Sequence, residues 1–159
     1  NLSNAPFRMY KRYTHEGGVA TPLIVHWPAG MKAKGALRHA PSHLIDIAPT
    51  CLAAAGLEGE GMEGESLLPV FAQDQKRART LFWEHEGNRA VRRGDYKLVA
   101  MHNTPWELYD MSKDRGELKD LSSSMPKKTA ELRAAWESWA KRVGALPWEE
   151  VNVKKKKKN

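Results

Sequence analysis

Hydrophobic and polar positions change period several times along this chain. Residues 1–18 are polar and loop-like. Residues 19–27, Val-Ala-Thr-Pro-Leu-Ile-Val-His-Trp, form a β-branched and apolar run between Gly18 and Pro28. That run predicts a strand, and its near-continuous apolar character suits a large sheet covered on both faces. Ile47, Cys51, Leu52 and Ala55 recur at helical spacing and predict a helix over 47–55 that packs on a sheet. Asp46 is its expected N-cap, Pro49 falls in its first turn, and Gly56 stops it. Residues 56–66 are rich in Gly and Glu and read as a loop, and 67–71 form a short apolar patch. Four short runs, 80–84, 89–93, 96–101 and 106–110, predict strands, with Gly94-Asp95 as a hairpin turn between the second and third. Leu132, Trp136, Trp139 and Val143 form one stripe and predict a helix over 126–143, ended by Gly144. The order is strand, helix, strands, helix. It fits an α+β arrangement or the second half of a larger α/β protein.

Composition adds bounds. At 159 residues, 41% hydrophobic and 28% charged, the chain is long and apolar enough for a real core. Five of its seven excess positive charges are Lys154–Lys158, so the high pI belongs to a tail that is expected to be disordered. A nucleic-acid partner is therefore not expected. No apolar run is long enough to span a bilayer, and a membrane is not an expected partner either. The lone Cys51 permits neither an intrachain disulfide nor a cysteine zinc site, and its apolar helical setting predicts a core residue. His26, His39, His43 and His102 show no metal-ligand spacing. The six tryptophans are spread along the chain and read as core and packing residues.

The candidate chemistry lies in two segments. Lys11-Arg12-Tyr13-Thr14-His15-Glu16-Gly17-Gly18 places a cation, an imidazole and a carboxylate within six residues. Two glycines then let the backbone turn tightly or approach a ligand. Trp83-Glu84-His85-Glu86-Gly87-Asn88-Arg89-Ala90-Val91-Arg92 surrounds a second polar cluster. With the 46–56 segment and the Trp106-Glu107-Leu108-Tyr109-Asp110 stretch leading to Leu121, these segments resemble the sulfatase (arylsulfatase) family of the alkaline-phosphatase-like superfamily. The resemblance runs over roughly residues 3–150 and is to the C-terminal portion.

The resemblance implies an α/β alkaline-phosphatase-like fold. This chain is then its C-terminal part: a last core-sheet strand and helix, plus a small antiparallel sheet packed by a C-terminal helix. Residues 1–57 would end the catalytic domain, 58–150 would form the C-terminal subdomain, and 151–159 a disordered Lys-rich tail. Lys11 occupies the position of a substrate-sulfate-binding lysine. His15 stands where the family carries His or Tyr, and implies a substrate contact. His85 and Asn88 are expected at the pocket rim, against the sugar or aryl part of the substrate. Glu16 is expected to accept backbone N–H groups in its turn, and Arg8 and Arg12 either to recognise an anionic substrate or to be solvated or salt-bridged.

The family's nucleophile is a formylglycine made from Cys or Ser in a Cys/Ser-x-Pro-x-Arg signature, with calcium held by acidic pairs. Neither occurs here: Cys51 is followed by Leu52-Ala53-Ala54. The resemblance therefore implies that calcium and formylglycine belong to an N-terminal region outside this sequence. It also implies that no metal is bound by this chain and that it is inactive alone. The implied partners are that region and a sulfated small molecule or polysaccharide. Two alternatives stay open. One is a phosphodiesterase or phosphonate hydrolase of the same superfamily. The other is a non-enzymatic polyanion-binding module using the lysine tail with Arg89, Arg92 and Arg93. The cellular location is left open.

Overall fold

The computed structural model describes residues 4–32, 34–75 and 77–156. In chain order the elements are α1 (Glu16–Val19), a 3-10 turn (Leu44–Asp46), α2 (Ile47–Ala54), α3 (Leu68–Ala72), β1 (Thr80–His85), β2 (Asn88–Arg93), β3 (Tyr96–Ala100), β4 (Glu107–Asp110), α4 (Pro126–Val143) and α5 (Trp148–Lys156). Contacts group them into two compact units. Asn1–Pro22 with Arg79–Asn159 form one, and Leu23–Ala78 the other. The division expected after residue 57 is not where the contacts part. The chain leaves the first unit at Pro22 and re-enters it at Arg79.

In the first unit, β1 to β4 form an antiparallel meander in sequence order. The β1–β2 turn is closed by the His85–Asn88 pair. Glu86 and Gly87 both take positive φ, 51° and 81°, which matches the twist a two-residue hairpin needs. Gly94, at φ 57°, makes the predicted turn between β2 and β3. Side chains alternate across the sheet, and both faces are covered. One face carries Val91, Leu98 and Leu108, packed with Leu132 of α4 and flanked by Phe82, Trp106 and Trp136. Trp139 of α4 stacks on Phe82 at 5.1 Å, and Trp136 Nε1 donates to the Trp83 carbonyl at 3.0 Å. Truncating Leu132 to Ala would remove the centre of that contact, at a cost of about 2–5 kcal/mol. Gly144 ends α4 in the left-handed region, and Ala145 N–H returns to the Ala140 carbonyl. Val143, expected in the apolar stripe, is exposed.

The other face carries Ala90, Val99 and Tyr109, with Met111 and Trp83 against them. Asn88, Arg92, Lys97 and Glu107 share that face by register and alternation. It is covered by the polar N-terminal segment instead of a helix. One further element departs from expectation. Backbone over 148–156 is helical, where 151–159 was expected to be a disordered tail; residues 157–159 lie outside the described ones. Glu149 and Glu150 in the first turn suit the positive end of that helix.

The second unit holds α2 and α3. Asp46 precedes α2 but does not cap it through its side chain. It is buried, and its carboxylate accepts from the backbone N–H groups of His43 and Glu65 and pairs with Arg77 at 3.1 Å. Thr50 accepts from Leu67 N–H, joining α2 to the start of α3. Two expectations fail here. Cys51 is exposed, because the buried side of α2 is Pro49 and Thr50 and the predicted apolar face meets no sheet in its unit. Residues 19–27 form no strand: Glu16–Val19 is helical, and Ile24 is 89% exposed with Leu23 and Val25 also exposed. A strand needs a neighbour for its N–H and C=O groups, and among the described residues none pairs with this run.

Candidate functional site

Lys11 sits in a loop forced into an unusual path. Met9 and Lys11 take positive φ, 62° and 47°. Gly17 N–H donates to the Arg8 carbonyl at 2.8 Å and Gly18 N–H to the His15 carbonyl at 2.9 Å. A Cβ on Gly17 would collide with the Met9 and Arg8 carbonyl oxygens, and one on Gly18 with that of Tyr13. Only glycine permits this closeness. Asn4 Nδ2 closes the loop by donating to the Gly17 carbonyl at 2.7 Å.

Three attachments hold this loop on the polar face of the sheet. On its N-terminal side, Arg8 Nη1 donates to Tyr109 Oη at 2.7 Å, to the Glu117 carbonyl at 2.6 Å and to Glu107 at 3.3 Å. On its C-terminal side, Glu16 pairs with Lys97 at 3.2 Å and Arg115 at 2.9 Å, while its own N–H donates to Glu117 Oε2. Lys97 also lies 2.8 Å from Glu117 Oε1, as an ion pair without the alignment of a hydrogen bond. Lys97 and Glu117 are both fully buried. In the middle, Asn88 Nδ2 donates to the carbonyls of Arg12 (3.3 Å) and His85 (2.9 Å), and its Oδ1 accepts from His102 N–H.

Electrostatics follow from this geometry. Burial alone would push the Glu16 carboxyl up. Lys97 and Arg115 outweigh it and hold that carboxyl below its ordinary value. Burial pushes His15 down, against the raising effect of Glu117 and Glu107, so the neutral imidazole is favoured. Burial and the bond to Glu107 raise the Tyr109 phenol, which stays protonated as a donor.

The four predicted site residues separate into two pairs. The Lys11 side chain is exposed, and among the described residues no ion pair or hydrogen bond engages its ammonium. His85 is exposed and lines an open depression of about 290 Å³ with Glu84, Glu86, Leu146, Trp148 and Val151. His15 is instead fully buried, with Nε2 3.4 Å from Glu107 and Nδ1 without a partner. Asn88 is buried and spends both ends of its amide on backbone groups. Neither is placed to touch a substrate in this arrangement. Glu16 has a structural role but not the expected one: among the described residues its carboxylate accepts from the Lys97 and Arg115 side chains and from no backbone N–H. Arg12 pairs with Glu86 at 3.5 Å. Arg89 lies over Trp106 at 4.6 Å, and Arg93 pairs with Glu131. Arg92 Nε donates to the Gly94 carbonyl. These three arginines are engaged within the unit, which weakens a polyanion patch built on them.

Sequence reasoning missed Lys97, Glu107, Tyr109, Arg115 and Glu117. One signal was available: Lys97 interrupts the otherwise apolar stretch 96–101 in mid-strand, where a charge is rare unless paired. Among the described residues no group of three His, Cys, Asp or Glu side chains is placed to hold a metal ion. None of their helices is long and apolar enough to cross a membrane.

Residues 7–141 match the family described as N-sulphoglucosamine sulphohydrolase, C-terminal. The chain belongs to the sulfatase family. Among relatives of this sulfatase chain, an uncharacterized sulfatase of Schizosaccharomyces pombe is 29% identical over 161 residues, covering 91% of the chain. The N-acetylgalactosamine-6-sulfatase of Mus musculus is 34% identical over 118 residues, covering 70% of it. The chain spans 29% and 22% of the length of those two proteins. Among solved structures, Ps i-CgsB superposes with a TM-score of 0.76 at 26% identity, over 88% of this chain and 34% of its own. Another, solved with its substrate D-glucosamine-2-N,6-O-disulfate, gives a TM-score of 0.50 at 28% identity, over 65% of this chain and 25% of its own. The alkaline-phosphatase-like fold class expected from the sequence stands. The antiparallel sheet and C-terminal helix are the elements of it seen in this sulfatase chain.

Proposed function

We propose that this chain supplies the sulfate-binding lysine and part of the pocket wall of an enzyme that hydrolyses sulfate esters of carbohydrates or aryl alcohols. The observation that carries this reading is Lys11: a cation that no ion pair or hydrogen bond engages among the described residues, on a loop that three separate attachments hold in place. The relatives support the sulfate ester and the carbohydrate. One is an N-acetylgalactosamine-6-sulfatase, and one neighbour was solved with a disulfated glucosamine.

An ammonium carried on a held loop offsets charge on the sulfate oxygens and on the leaving oxygen as the S–O bond breaks. Such preorganised charges lower barriers because they need no reorganisation during the reaction. The buried network contributes by holding the loop backbone, so that only the Lys11 side chain remains to be ordered when substrate arrives. In this reading calcium and formylglycine are held by residues outside this chain. The donor sets present do not fit them: no three metal ligands converge among the described residues, and Cys51 lacks the modification signature. No step is therefore assigned to them here, and the chain alone is expected to be inactive.

The test uses the enzyme that carries this chain, with 4-nitrophenyl sulfate and sulfated monosaccharides as substrates. Lys11→Ala is expected to lower kcat/KM by about 10²–10³-fold, the usual cost of one fixed electrostatic group, with the melting temperature unchanged. Hydrolysis within threefold of the unsubstituted enzyme would overturn the role of Lys11. Turnover of phosphonate or phosphate esters in preference to sulfate would favour the other superfamily reaction.

A further inference from the structure

His15 is a buried titratable group that the sulfate-binding role of Lys11 leaves without a task. It stands at the head of α1, inside the turn that shapes the Lys11 loop. Its carbonyl accepts from Gly18 N–H at 2.9 Å and from Val19 N–H at 3.2 Å. Gly18 is packed so closely on the loop that an added Cβ would stand 3.0 Å from the Lys11 carbonyl oxygen. A displacement of His15 is therefore passed to the Lys11 backbone through one glycine.

The surroundings of the ring suit one of its protonation states. Nε2 faces Glu107 Oε2 at 3.4 Å, and an ionised carboxylate only accepts, so Nε2 carries the proton and Nδ1 is bare. Nδ1 is buried and meets no partner among the described residues, nor does Oγ1 of the preceding Thr14. A second proton would go to Nδ1 and create a buried N–H without an acceptor. Its charge would fare no better. Glu107 Oε2 already accepts from Tyr109 Oη at 2.5 Å and from Arg8 Nη1 at 3.3 Å. Glu117 lies 2.8 Å from Lys97, and Glu16 pairs with both Lys97 and Arg115. Three carboxylates thus meet three cations before the imidazole takes up any proton, and Arg92 on the same sheet face adds another cation. An imidazolium would be a surplus positive charge sealed from water. Burial and Lys97 oppose it against the pull of Glu117 and Glu107, and the net effect holds the imidazole pKa below its ordinary value.

We propose that His15 is a positioning residue whose neutral, Nε2-protonated ring keeps the Lys11 loop docked on the sheet, and that proton uptake at Nδ1 releases it. The proton comes from solvent while the loop is open, and the ring returns to its place only after giving that proton back. The undocked ring binds a proton more readily than the docked one. Acid therefore shifts the balance toward the undocked loop, by up to about tenfold per pH unit over the interval between the two affinities. Above that interval both forms are neutral and docking is at full strength. Thr14 acts in the same direction, since undocking returns a buried, unpartnered hydroxyl to water. The consequence for hydrolysis rests on the sulfate-ester reading above and deepens it: the sulfate-binding lysine is held near neutral pH and let go in acid.

Hydrogen exchange in the enzyme that carries this chain, read by mass spectrometry on peptides spanning residues 9–20, measures docking without reference to activity. Rates at about pH 7.5 and about pH 5.5 are each divided by the intrinsic rate at that pH, and protection of the Gly17 and Gly18 amides is expected to fall about fivefold or more in the parent. In His15→Gln, whose amide still donates to Glu107 but takes up no proton, it should change by less than about twofold. His15→Ala should be poorly protected at both pH values, which separates loss of the contact from loss of the titration. An equal fall in the parent and His15→Gln overturns the proposal. So does no fall in the parent, or His15→Ala as well protected as His15→Gln. If His15→Gln does not fold, nitrogen NMR of labelled histidine in the parent decides. Protonation of His15 over the same pH range as the loss of protection supports the proposal, and a ring that stays neutral while the loop loosens overturns it. Hydrolysis of 4-nitrophenyl sulfate is followed over the same range, where kcat/KM should fall more steeply toward acid in the parent than in His15→Gln. Exchange that behaves as expected beside parallel activity profiles, or beside no turnover of sulfate esters, leaves the release standing and refutes the role of Lys11 instead.

Discussion

Replacing Lys97 with Met tests whether buried charge holds the Lys11 loop to the sheet. Met fills similar volume and keeps the apolar stem, but removes the ammonium between Glu16 and Glu117, which lie 3.2 and 2.8 Å from it. Glu16 retains Arg115, whose side chain is half exposed and which therefore compensates weakly. Glu117 retains only backbone donation from Glu16 among the contacts described. A buried carboxylate left without its cation costs about 3–5 kcal/mol. That is a fifth or more of the roughly 5–15 kcal/mol that stabilises an ordinary domain. Urea unfolding followed by fluorescence reads the loss, since Trp83, Trp106, Trp136 and Trp139 all lie in this unit. With a slope of about 2 kcal/mol per molar, the midpoint should fall by about 2 M. Adding Glu117→Gln to Lys97→Met removes the stranded charge and should recover at least half of the loss. Lys97→Met within 1 kcal/mol of the parent, a bound set well below the roughly 3–5 kcal/mol expected, would refute the reasoning. So would a double variant less stable than the single one.

Other consequences are as direct. Burial lowers the His15 pKa below 6.5, so the unfolded chain takes up a proton first and stability falls as pH drops through 6.5. His15→Gln should flatten unfolding free energy between pH 7 and 5, while the loss tied to the depressed Glu16 carboxyl, below 4.5, persists; an unaltered slope would exclude His15. Gly18→Ala drives a Cβ into the Tyr13 carbonyl and should cost about 1–3 kcal/mol in calorimetry, because backbone cannot yield as a side chain can. Asn88→Asp keeps the acceptor for His102 N–H but turns an acceptor toward the Arg12 and His85 carbonyls. Released in this way, the Lys11 loop should lose roughly 10²-fold in kcat/KM on a sulfate ester.

The parts of the fold that rest on local pattern were legible in the sequence. Alternation in 80–110 and the glycine at 94 place the meander, and the Leu132–Trp136–Trp139 stripe with Gly144 places α4 and its end. What was not legible depends on partners distant in sequence. The run 19–27 has the composition of a core strand, but composition does not supply a neighbour to pair with. Cys51 sits in an apolar pattern, yet burial depends on what lies opposite. At the candidate site the residue types of Lys11 and His85 were readable, whereas the duties of His15 and Asn88 were not. Both look like ligand contacts until the sheet face beneath them is seen to need polar partners. Lys97 and Glu117 make the same point. A charge in a strand reads as solvent-facing unless a segment about a hundred residues away is known to cover it.

The return of the chain to its first unit also bears on the order in which the molecule assembles. Glu16 meets Lys97 across 81 residues, and Arg8 meets Glu117 across 109. The β1–β2 and β2–β3 hairpins close over two residues each. Closing an 81-residue loop costs about 2 kcal/mol more in chain entropy than closing a ten-residue one. Contacts of such separation form late unless something rewards them early. The meander and α4 can therefore collapse on their apolar face before the Lys11 loop arrives, with the opposite face, including Lys97, still wet. Water leaves that lysine only when Glu16 and Glu117 close on it. Docking of the loop is then the last cooperative step, and Lys11 takes its place only once the rest of the unit has formed.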